Sequence, residues 1–425
     1  MSRSSFKDGR ADNAAGTPAP AVPPEGGARM AQTRDDVDEN VDFDHADPEF
    51  IQNPFPVFRD LHQRCPVARS TKYDGFWVLS KYDDIRAATR NTNTFLSGAG
   101  VTIPHFGSPV PLIPLESDPP LHSSYRRILQ REFSRGRMQE LEGTIRLVAT
   151  DLIDAFADRG EADFATELAS PLPAVVIAQL MGFPKEDWEK FRVLTERMLE
   201  AAKAEDLETN FEAALEYCIY LMNVLDERRA EPADDMLTRI VQAEVDGRPM
   251  GEDEALGMTL ITIVAGHETT VGGIGSLLLY VGADPNVQRR LAADPTQIPL
   301  AVEEALRQGA PVQGIARTVS EDVCVRGRQL RKGDKVWLSY AAGNRDEEAF
   351  ENPDVFDIDR SPNRHLGFGD GVHRCVGAPL AQAEMRIVLE EILKRIPGYR
   401  ITDLDAVEFQ GGQNRMVSKL PVHWD

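Results

Sequence analysis

One cysteine lies in a glycine-rich stretch that leads into a predicted helix. The stretch runs from His365 to Pro379, and apolar residues at helical spacing follow Cys375. Because proline is tolerated within the first turn of a helix, Pro379 is expected to mark the helix start. The unpaired backbone N–H groups at such a start favour the thiolate form of a nearby cysteine. The pattern therefore predicts a reactive or metal-binding thiol.

A thiolate at this place can be a nucleophile, a zinc ligand or an axial haem ligand. Zinc needs three or four ligands at short spacing, and the nearest other cysteine in the sequence, Cys324, is far away. A nucleophile needs a base, for which His373 is a candidate, but a base does not account for the glycines or for Phe368. Glycines allow positive φ and a close approach to a flat ligand, which fits haem.

The stretch resembles the haem-binding signature of the cytochrome P450 family, soluble bacterial type, at every fixed position. The matching residues are Phe368, Gly369, Gly371, His373, Cys375 and Gly377. The resemblance implies haem b (iron protoporphyrin IX) as cofactor, with Cys375 as the iron ligand. Phe368, Gly369, His373 and Gly377 are then expected to contact the cofactor.

A second group of candidate residues lies on a long predicted helix, residues 252–281. Its apolar face is interrupted after Ala265, first by a glycine and then by Glu268, Thr269 and Thr270. Glycine costs about 1 kcal/mol inside a helix, and threonines can bond back to helix carbonyls. The same pattern resembles the oxygen-activation segment of the family. The resemblance implies that Ala265 lies over the haem, that Thr269 serves oxygen activation and that Glu268 relays protons.

Further matches concern basic residues elsewhere in the chain. A predicted helix over residues 118–133 carries His122 and Arg126, and Arg317 ends a later segment, residues 311–317. The resemblance implies that these three side chains bind the haem propionates, and buried anions do need paired cations. The resemblance also implies a buried structural network that holds the cysteine loop, formed by Glu304, Arg307 and Arg360.

The expected substrate pocket is apolar. Its candidates come from a Gly/Pro-rich loop, the long helix, a later segment and a C-terminal hairpin, and they are Ile103, Phe106, Met258, Ile261, Val312, Ile315 and Met416. None of them carries a fixed charge, so a lipophilic small molecule is predicted, such as a terpenoid, steroid, fatty acid or macrolide. The sequence does not distinguish among these classes.

Composition limits the kind of protein and its compartment. The chain has 425 residues and a formal charge of −22, which argues against a nucleic-acid or anionic-membrane partner. Its four scattered cysteines predict a reducing cytoplasm and no disulfide. No apolar run is long enough to span a membrane, and residues 1–47 are expected to be mostly disordered, with Met30 a second candidate start.

The resemblance covers residues 48–425 and predicts one haem-thiolate monooxygenase domain. The expected fold is mainly α with a small β-rich lobe. Because no flavin, iron–sulfur or dinucleotide motif accompanies the haem region, electrons are expected from a separate ferredoxin or flavodoxin with an NAD(P)H-dependent reductase. The reaction would insert one oxygen atom of O₂ into the substrate. A peroxide-driven or non-oxygenating thiolate-haem enzyme is the alternative, and a haem sensor is a further one.

Overall fold

The structure is a computed structural model that describes residues 40–105, 108, 110–184, 187, 190–191, 193–194, 197 and 207–425. Helices predominate, as predicted. In chain order they are α1 (Pro48–Gln52), α2 (Phe55–Arg64), α3 (Tyr82–Arg90), α4 (Leu121–Glu132), α5 (Arg135–Asp154), α6 (Pro171–Met181), α7 (Leu207–Ala230), α8 (Met236–Val241), α9 (Glu252–Ala283), α10 (Pro285–Ala293), α11 (Ile298–Gly309), α12 (Tyr340–Gly343) and α13 (Ala378–Arg395).

The strands are short, and the largest sheet has six of them in the order β1-β2-β3-β11-β8-β4. Four smaller groupings are β5-β15-β12, β6-β7, β9-β10 and β13-β14. The strands are β1 (Asn40–Val41), β2 (Val67–Ser70), β3 (Phe76–Leu79), β4 (Phe95–Leu96), β5 (Glu161–Asp163), β6 (Glu244–Val245), β7 (Arg248–Pro249), β8 (Ile315–Val319), β9 (Val323–Val325), β10 (Arg328–Leu330), β11 (Lys335–Leu338), β12 (Arg400–Ile401), β13 (Glu408–Gly411), β14 (Arg415–Lys419) and β15 (Pro421–His423).

Local sequence signals explain several helix ends. The Asp47 carboxylate accepts from the first N–H groups of α1, and Ser134 does the same for α5. Helix α6 ends at Gly182, whose φ of 96° is a left-handed conformation that suits glycine. Helix α13 begins just after Gly377 and holds proline in its first turn, as predicted.

The core has one large helical cluster and two smaller clusters in the sheet lobe. The helical cluster surrounds α9, whose residues are mostly buried, and includes α5, α6, α7, α11 and α13. A helix that is apolar on nearly all sides must be surrounded by protein, so α9 forms the centre of the helical part. The sheet-lobe clusters include Trp337 and Leu338 of β11.

The N-terminal boundary differs from the prediction. Residues 40–47 were expected in a disordered tail, yet β1 pairs in parallel with β2. Phe43 is only 2% exposed and packs edge-to-face on Phe50 and Phe76. This acidic segment also contains two buried rings, those of Phe43 and His45, and their packing fixes the segment to the sheet lobe.

Candidate active site

The loop before α13 turns tightly around its cysteine. The Cys375 N–H donates to the Phe368 carbonyl at 2.9 Å, and the Gly369 N–H donates to the Leu366 carbonyl at 2.8 Å. Gly369 and Gly371 have φ values of 66° and 70°, which confirms the predicted left-handed backbone at both glycines. The turn brings the sulfur to the start of α13.

Helix α3 supports this loop from outside. A Cβ on Gly371 would lie 2.7 Å from the Thr89 carbonyl oxygen, so only glycine fits there without displacement. The Asp370 carboxylate accepts from Arg86 Nε at 2.9 Å and from Arg90 Nε at 3.0 Å. These contacts fix the loop to α3. The sequence analysis did not identify them, although an acid between two loop glycines was a signal.

Gly377 does not behave as predicted. Its φ is −81°, which any residue can adopt, so positive φ is not the reason for glycine here. A Cβ at this position would lie 3.9 Å from Cys375 Sγ and 3.7 Å from the ring of Phe133, in ordinary contact. The lack of a side chain leaves room beside the sulfur.

The protein environment acts on the Cys375 thiol in two directions. Desolvation raises its pKa, whereas the N–H groups of Gly377 and Ala378 and the Arg126 guanidinium lower it. The net direction is upward, so the prediction of a favoured free thiolate was wrong. Cys375 as a residue is nevertheless exposed. A metal ion deprotonates a coordinating thiol outright, even where the pKa of the thiol alone is raised.

Basic side chains converge beside the cysteine loop, as the resemblance implied. The rings of His122 and His373 lie 4.2 Å apart, and Arg126 donates to the Arg374 carbonyl at 2.5 Å. Burial lowers the pKa of His122, and nearby Arg126 lowers it further. Burial, with the charge of Arg317, lowers the pKa of His373 to about 3.

These basic groups fit a buried anionic ligand. Arg317 is 2% exposed, and the hydrogen bond that the structure shows for its guanidinium goes to its neighbour's carbonyl, Ala316 O. Both ring nitrogens of His122 lack a hydrogen-bond partner within the described part of the chain. Asp118, whose charge acts on His122 and Arg317, already accepts from two backbone N–H groups. Buried basic side chains in this state can still donate hydrogen bonds to carboxylates such as the haem propionates.

The chemistry of the donors also fits haem iron. The Cys375 thiol is flanked by the N–H groups of Gly377 and Ala378 at the start of α13. Among the residues that the structure describes, no group of three or more His, Cys, Asp or Glu side chains could hold a metal ion. The zinc alternative therefore lacks ligands there. A single axial sulfur is enough when a porphyrin supplies the other ligands.

Helix α9 carries the predicted acid and alcohol. Thr269 Oγ1 donates to the Ala265 carbonyl at 2.7 Å, and Thr270 Oγ1 donates to the Gly266 carbonyl at 3.0 Å. The helix is continuous through this segment. Gly266 is needed for packing, because a Cβ there would lie 3.0 Å from Ile177 of α6. The Glu268 carboxylate accepts from the side-chain amide of Asn414, a contact that the sequence analysis did not predict.

The pocket candidates fall into two groups. Met258 and Ile261 of α9 and Met416 of β14 belong to the helical cluster. Val312 and Ile315 pack against the sheet lobe, and Ile103 is buried in that lobe among side chains such as Trp337. Ile103 therefore does not join the α9 residues, because the sheet lobe already covers it. Phe106 lies outside the described residues.

The structure brings the predicted buried network together. Arg307 donates to Glu304 through Nε at 2.8 Å and Nη2 at 2.7 Å, and both side chains are 0% exposed. Arg360 Nε lies 3.2 Å from Glu304 Oε1. Three carbonyl groups, those of Asn344, Pro353 and Val355, accept the remaining Arg307 hydrogens. Every polar atom of the pair is thereby satisfied in a dry environment.

One side chain connects this network to the cysteine loop. Asn344 Nδ2 donates to the Arg307 carbonyl at 3.2 Å, and its Oδ1 accepts from the Leu366 N–H at 2.6 Å. Leu366 lies at the start of the loop. Only the folded structure shows that Asn344 bridges two distant segments.

Comparison with known proteins identifies the family. The family model "Cytochrome P450" matches residues 52–397. The chain belongs to the cytochrome P450 family. It is 35% identical over 379 residues to the mycinamicin IV hydroxylase/epoxidase of Micromonospora griseorubida, covering 86% of this chain and 94% of that protein. It is also 35% identical over 360 residues to the steroid C26-monooxygenase of Mycolicibacterium smegmatis, covering 82% and 84%.

A solved structure supports the same assignment. The cytochrome P450 PksS of the Bacillus subtilis 168 bacillaene polyketide synthase is similar with a TM-score of 0.83 and 32% identity, covering 90% of this chain and all of that chain. The predicted P450 fold is therefore confirmed, and this P450 is a haem-dependent monooxygenase. Among the described helices, none is long and apolar enough to cross a membrane.

Proposed function

We propose that this P450 uses haem b, bound through Cys375, to hydroxylate or epoxidise a lipophilic small molecule. The observation that carries the proposal is the place of the exposed residue Cys375 at the start of α13, beside the buried basic side chains of His122 and Arg317. Haem, when bound, supplies the redox chemistry that transfers one oxygen atom. For hydroxylation, R–H, O₂, two electrons and two protons give R–OH and water.

Cofactor binding and proton transfer are assigned to particular residues of this chain. Cys375 would hold the haem iron through its sulfur, and the N–H groups of Gly377 and Ala378 would stabilise negative charge on that sulfur. His122, Arg126 and Arg317 would bind the propionates. In the proposed mechanism Thr269 holds a proton at Oγ1 near the reacting centre, and Glu268 moves protons towards it from the β13–β14 side of α9.

The proposed substrate class rests on the residues expected to line the substrate pocket. The candidates on α9 and β14, which are Met258, Ile261 and Met416, are buried and apolar. Terpenoids, steroids, fatty acids and macrolides all have the required apolar surface. The named substrates of the two 35%-identical relatives, mycinamicin IV and a steroid, favour a large polycyclic or macrocyclic compound over a short chain.

The electron donor is proposed to be a separate ferredoxin or flavodoxin, reduced by an NAD(P)H-dependent reductase in the cytoplasm. Its docking face would be the exposed surface of α4 and the cysteine loop. This face carries Arg127, Arg131 and Arg374, and half-buried Arg126 lies behind them. A local basic face on a chain with a formal charge of −22 would guide an acidic partner.

The first experiment tests the sulfur ligand. The reduced, carbon-monoxide-treated protein is expected to absorb at about 450 nm, and Cys375→Ala should abolish that band. A second cysteine variant, Cys324→Ala on the exposed β9–β10 hairpin, is the matched control and should retain it. An intact band in Cys375→Ala would overturn the proposal.

The second experiment tests the reaction. Steroids and macrolides are screened for a low-to-high-spin shift of the haem spectrum, and compounds that give the shift are incubated with NADH, reductase and ferredoxin or with hydrogen peroxide alone. Product is expected with the electron-transfer system. Turnover with peroxide only would instead favour the peroxide-driven alternative.

A further inference from the structure

The acid on α9 is held by a residue from a distant hairpin. Asn414 Nδ2 donates to Glu268 Oε2 at 3.0 Å, and both residues are half-buried. Asn414 lies in the turn between β13 and β14, near the end of the chain. The donor is a neutral amide, which does not titrate and therefore neither accepts nor supplies the proton that the acid carries.

Two glycines allow the hairpin to approach the helix at this point. Gly272 lies one turn beyond Glu268 on the same face, and a Cβ there would lie 2.9 Å from the Arg415 carbonyl oxygen. A Cβ on Gly275 would lie 3.0 Å from the Val417 side chain. Larger residues at either position would push β14 away from α9 and carry the amide of Asn414 with it.

The backbone around Asn414 is itself fixed. Asn414 forms a β-bridge with Val312, and the next N–H, from Arg415, donates to the Pro311 carbonyl at 2.7 Å. The Arg415 guanidinium in turn binds the Ile51 carbonyl at 2.6 Å at the end of α1. The amide is therefore presented from a rigid support, and the same support carries the pocket candidates Val312 and Met416.

We propose that Asn414 is a positioning residue for Glu268. Its amide favours one rotamer of the Glu268 side chain, so the carboxylate stays at one distance from the reacting centre during proton transfer. The shared hairpin also couples the acid to the wall of the substrate pocket. This inference rests on the proposed function of Glu268 as the proton relay.

The test uses the isosteric variant Asn414→Asp, which has the shape of asparagine but no amide donor, in the holoenzyme with its electron-transfer system. We expect kcat to fall about tenfold, as for the loss of a hydrogen bond to a charged group. The dissociation constant of a spin-shifting compound should stay within about twofold. More of the reduced oxygen should be released as hydrogen peroxide, which consumes the same two electrons and two protons.

A double-mutant cycle separates positioning from a structural role. In the Glu268→Ala background, Asn414→Asp should change kcat less than about twofold, because the acid it positions is absent. The thermal midpoint, measured without substrate, should fall in Asn414→Asp and recover in the double variant, because two facing carboxylates repel. Gln413→Ala, in the same turn, is the matched control and should match the parent enzyme.

The outcomes distinguish the two proposals. Equal losses of kcat from Asn414→Asp with and without Glu268, or no loss at all, would overturn the role of Asn414. A missing band at about 450 nm in the parent protein would instead overturn the proposed function. The effect of the Asn414–Glu268 contact on the thermal midpoint can be measured in either case.

Discussion

At the scale of single residues, the most informative group is the buried guanidinium of Arg317. Arg317 is 2% exposed, and desolvation lowers the pKa of its guanidinium. A buried cation without a paired anion costs free energy, and a bound carboxylate recovers it. Arg317 therefore carries a stability cost in the protein alone that ligand binding would offset.

This cost gives the first prediction. Arg317→Met keeps the length of the side chain and removes its charge, so the apoprotein should be as stable as the parent or more stable. Haem should dissociate about tenfold to a hundredfold faster, as expected for the loss of a charge-assisted hydrogen bond. Transfer of haem to an apoglobin measures the rate. Arg131→Met, on the exposed face of α4, is the matched control, and equal rates in the two variants would contradict the assignment.

A buried histidine in the sheet lobe gives a prediction on pH. His45 stacks on Trp337 with ring centroids 4.4 Å apart, and its Nε2 lies 2.5 Å from the Ile103 carbonyl oxygen. Burial lowers the pKa of His45 in the folded protein. The unfolded chain then binds a proton first as the pH falls below about 6.5, so this group destabilises the folded state on acidification.

The corresponding variant is His45→Phe, which retains the ring stacking but cannot titrate. The free energy of unfolding should fall less between about pH 7.5 and about pH 5.5 in the variant than in the parent. Urea unfolding at the two pH values gives the comparison. The same fall in both proteins would show that His45 does not contribute.

At the scale of elements, the buried network joins α11 to the cysteine loop. Glu304 and Arg307 lie on one face of α11, and Asn344 transmits their position to Leu366 through hydrogen bonds. A buried pair of this kind is not itself a large source of stability, because both ions lose their hydration. Breaking it is costly, because the remaining ion stays buried and unpaired.

Arg307→Met is therefore expected to reduce the free energy of unfolding by about 3–5 kcal/mol and to weaken the 450-nm band. Arg290→Met on α10 is the matched control. Its ion pair with Asp359 is exposed, with side-chain exposures of 42% and 62%, so the free energy of unfolding should stay close to that of the parent. Chemical denaturation measures the free energy of unfolding of both variants. A similar loss in the two variants would argue against the role given to the network.

At the scale of the whole molecule, charge is distributed unevenly. The formal net charge is −22, yet the exposed face of α4 and the cysteine loop carries Arg127, Arg131 and Arg374. Exposed apolar residues, Leu121 and Val372, lie on the same elements. A basic rim with apolar residues supports the proposal that a small acidic electron donor docks on this face.

Reversing two of these charges tests the docking face. The double variant Arg127→Glu/Arg131→Glu should lower the rate of reduction by an acidic ferredoxin about tenfold or more at low salt, and added salt should reduce the difference. Stopped-flow absorbance follows the reduction. Reduction by dithionite should give the same 450-nm band as the parent. Arg64→Glu, on exposed α2, should leave the rate unchanged.

The sequence by itself determined the features that depend on neighbouring residues. The helix after Cys375, the long helix α9 and the left-handed glycines Gly369 and Gly371 were predicted from local patterns, and the structure confirms them. Helical periodicity and glycine geometry act over a few residues, so they can be read without knowing the fold. The family signature could also be recognised from the sequence, because its residues lie within one loop.

Only the tertiary structure decided which distant residues meet. Pairing of β5 with β15 and the contact of Asn414 with Glu268 join segments far apart in sequence. The position of Ile103 in the sheet lobe and the upward pKa of the Cys375 thiol also depend on burial by the whole chain. Desolvation and long-range contacts are set by the packed volume around a group, and local sequence carries no measure of that volume.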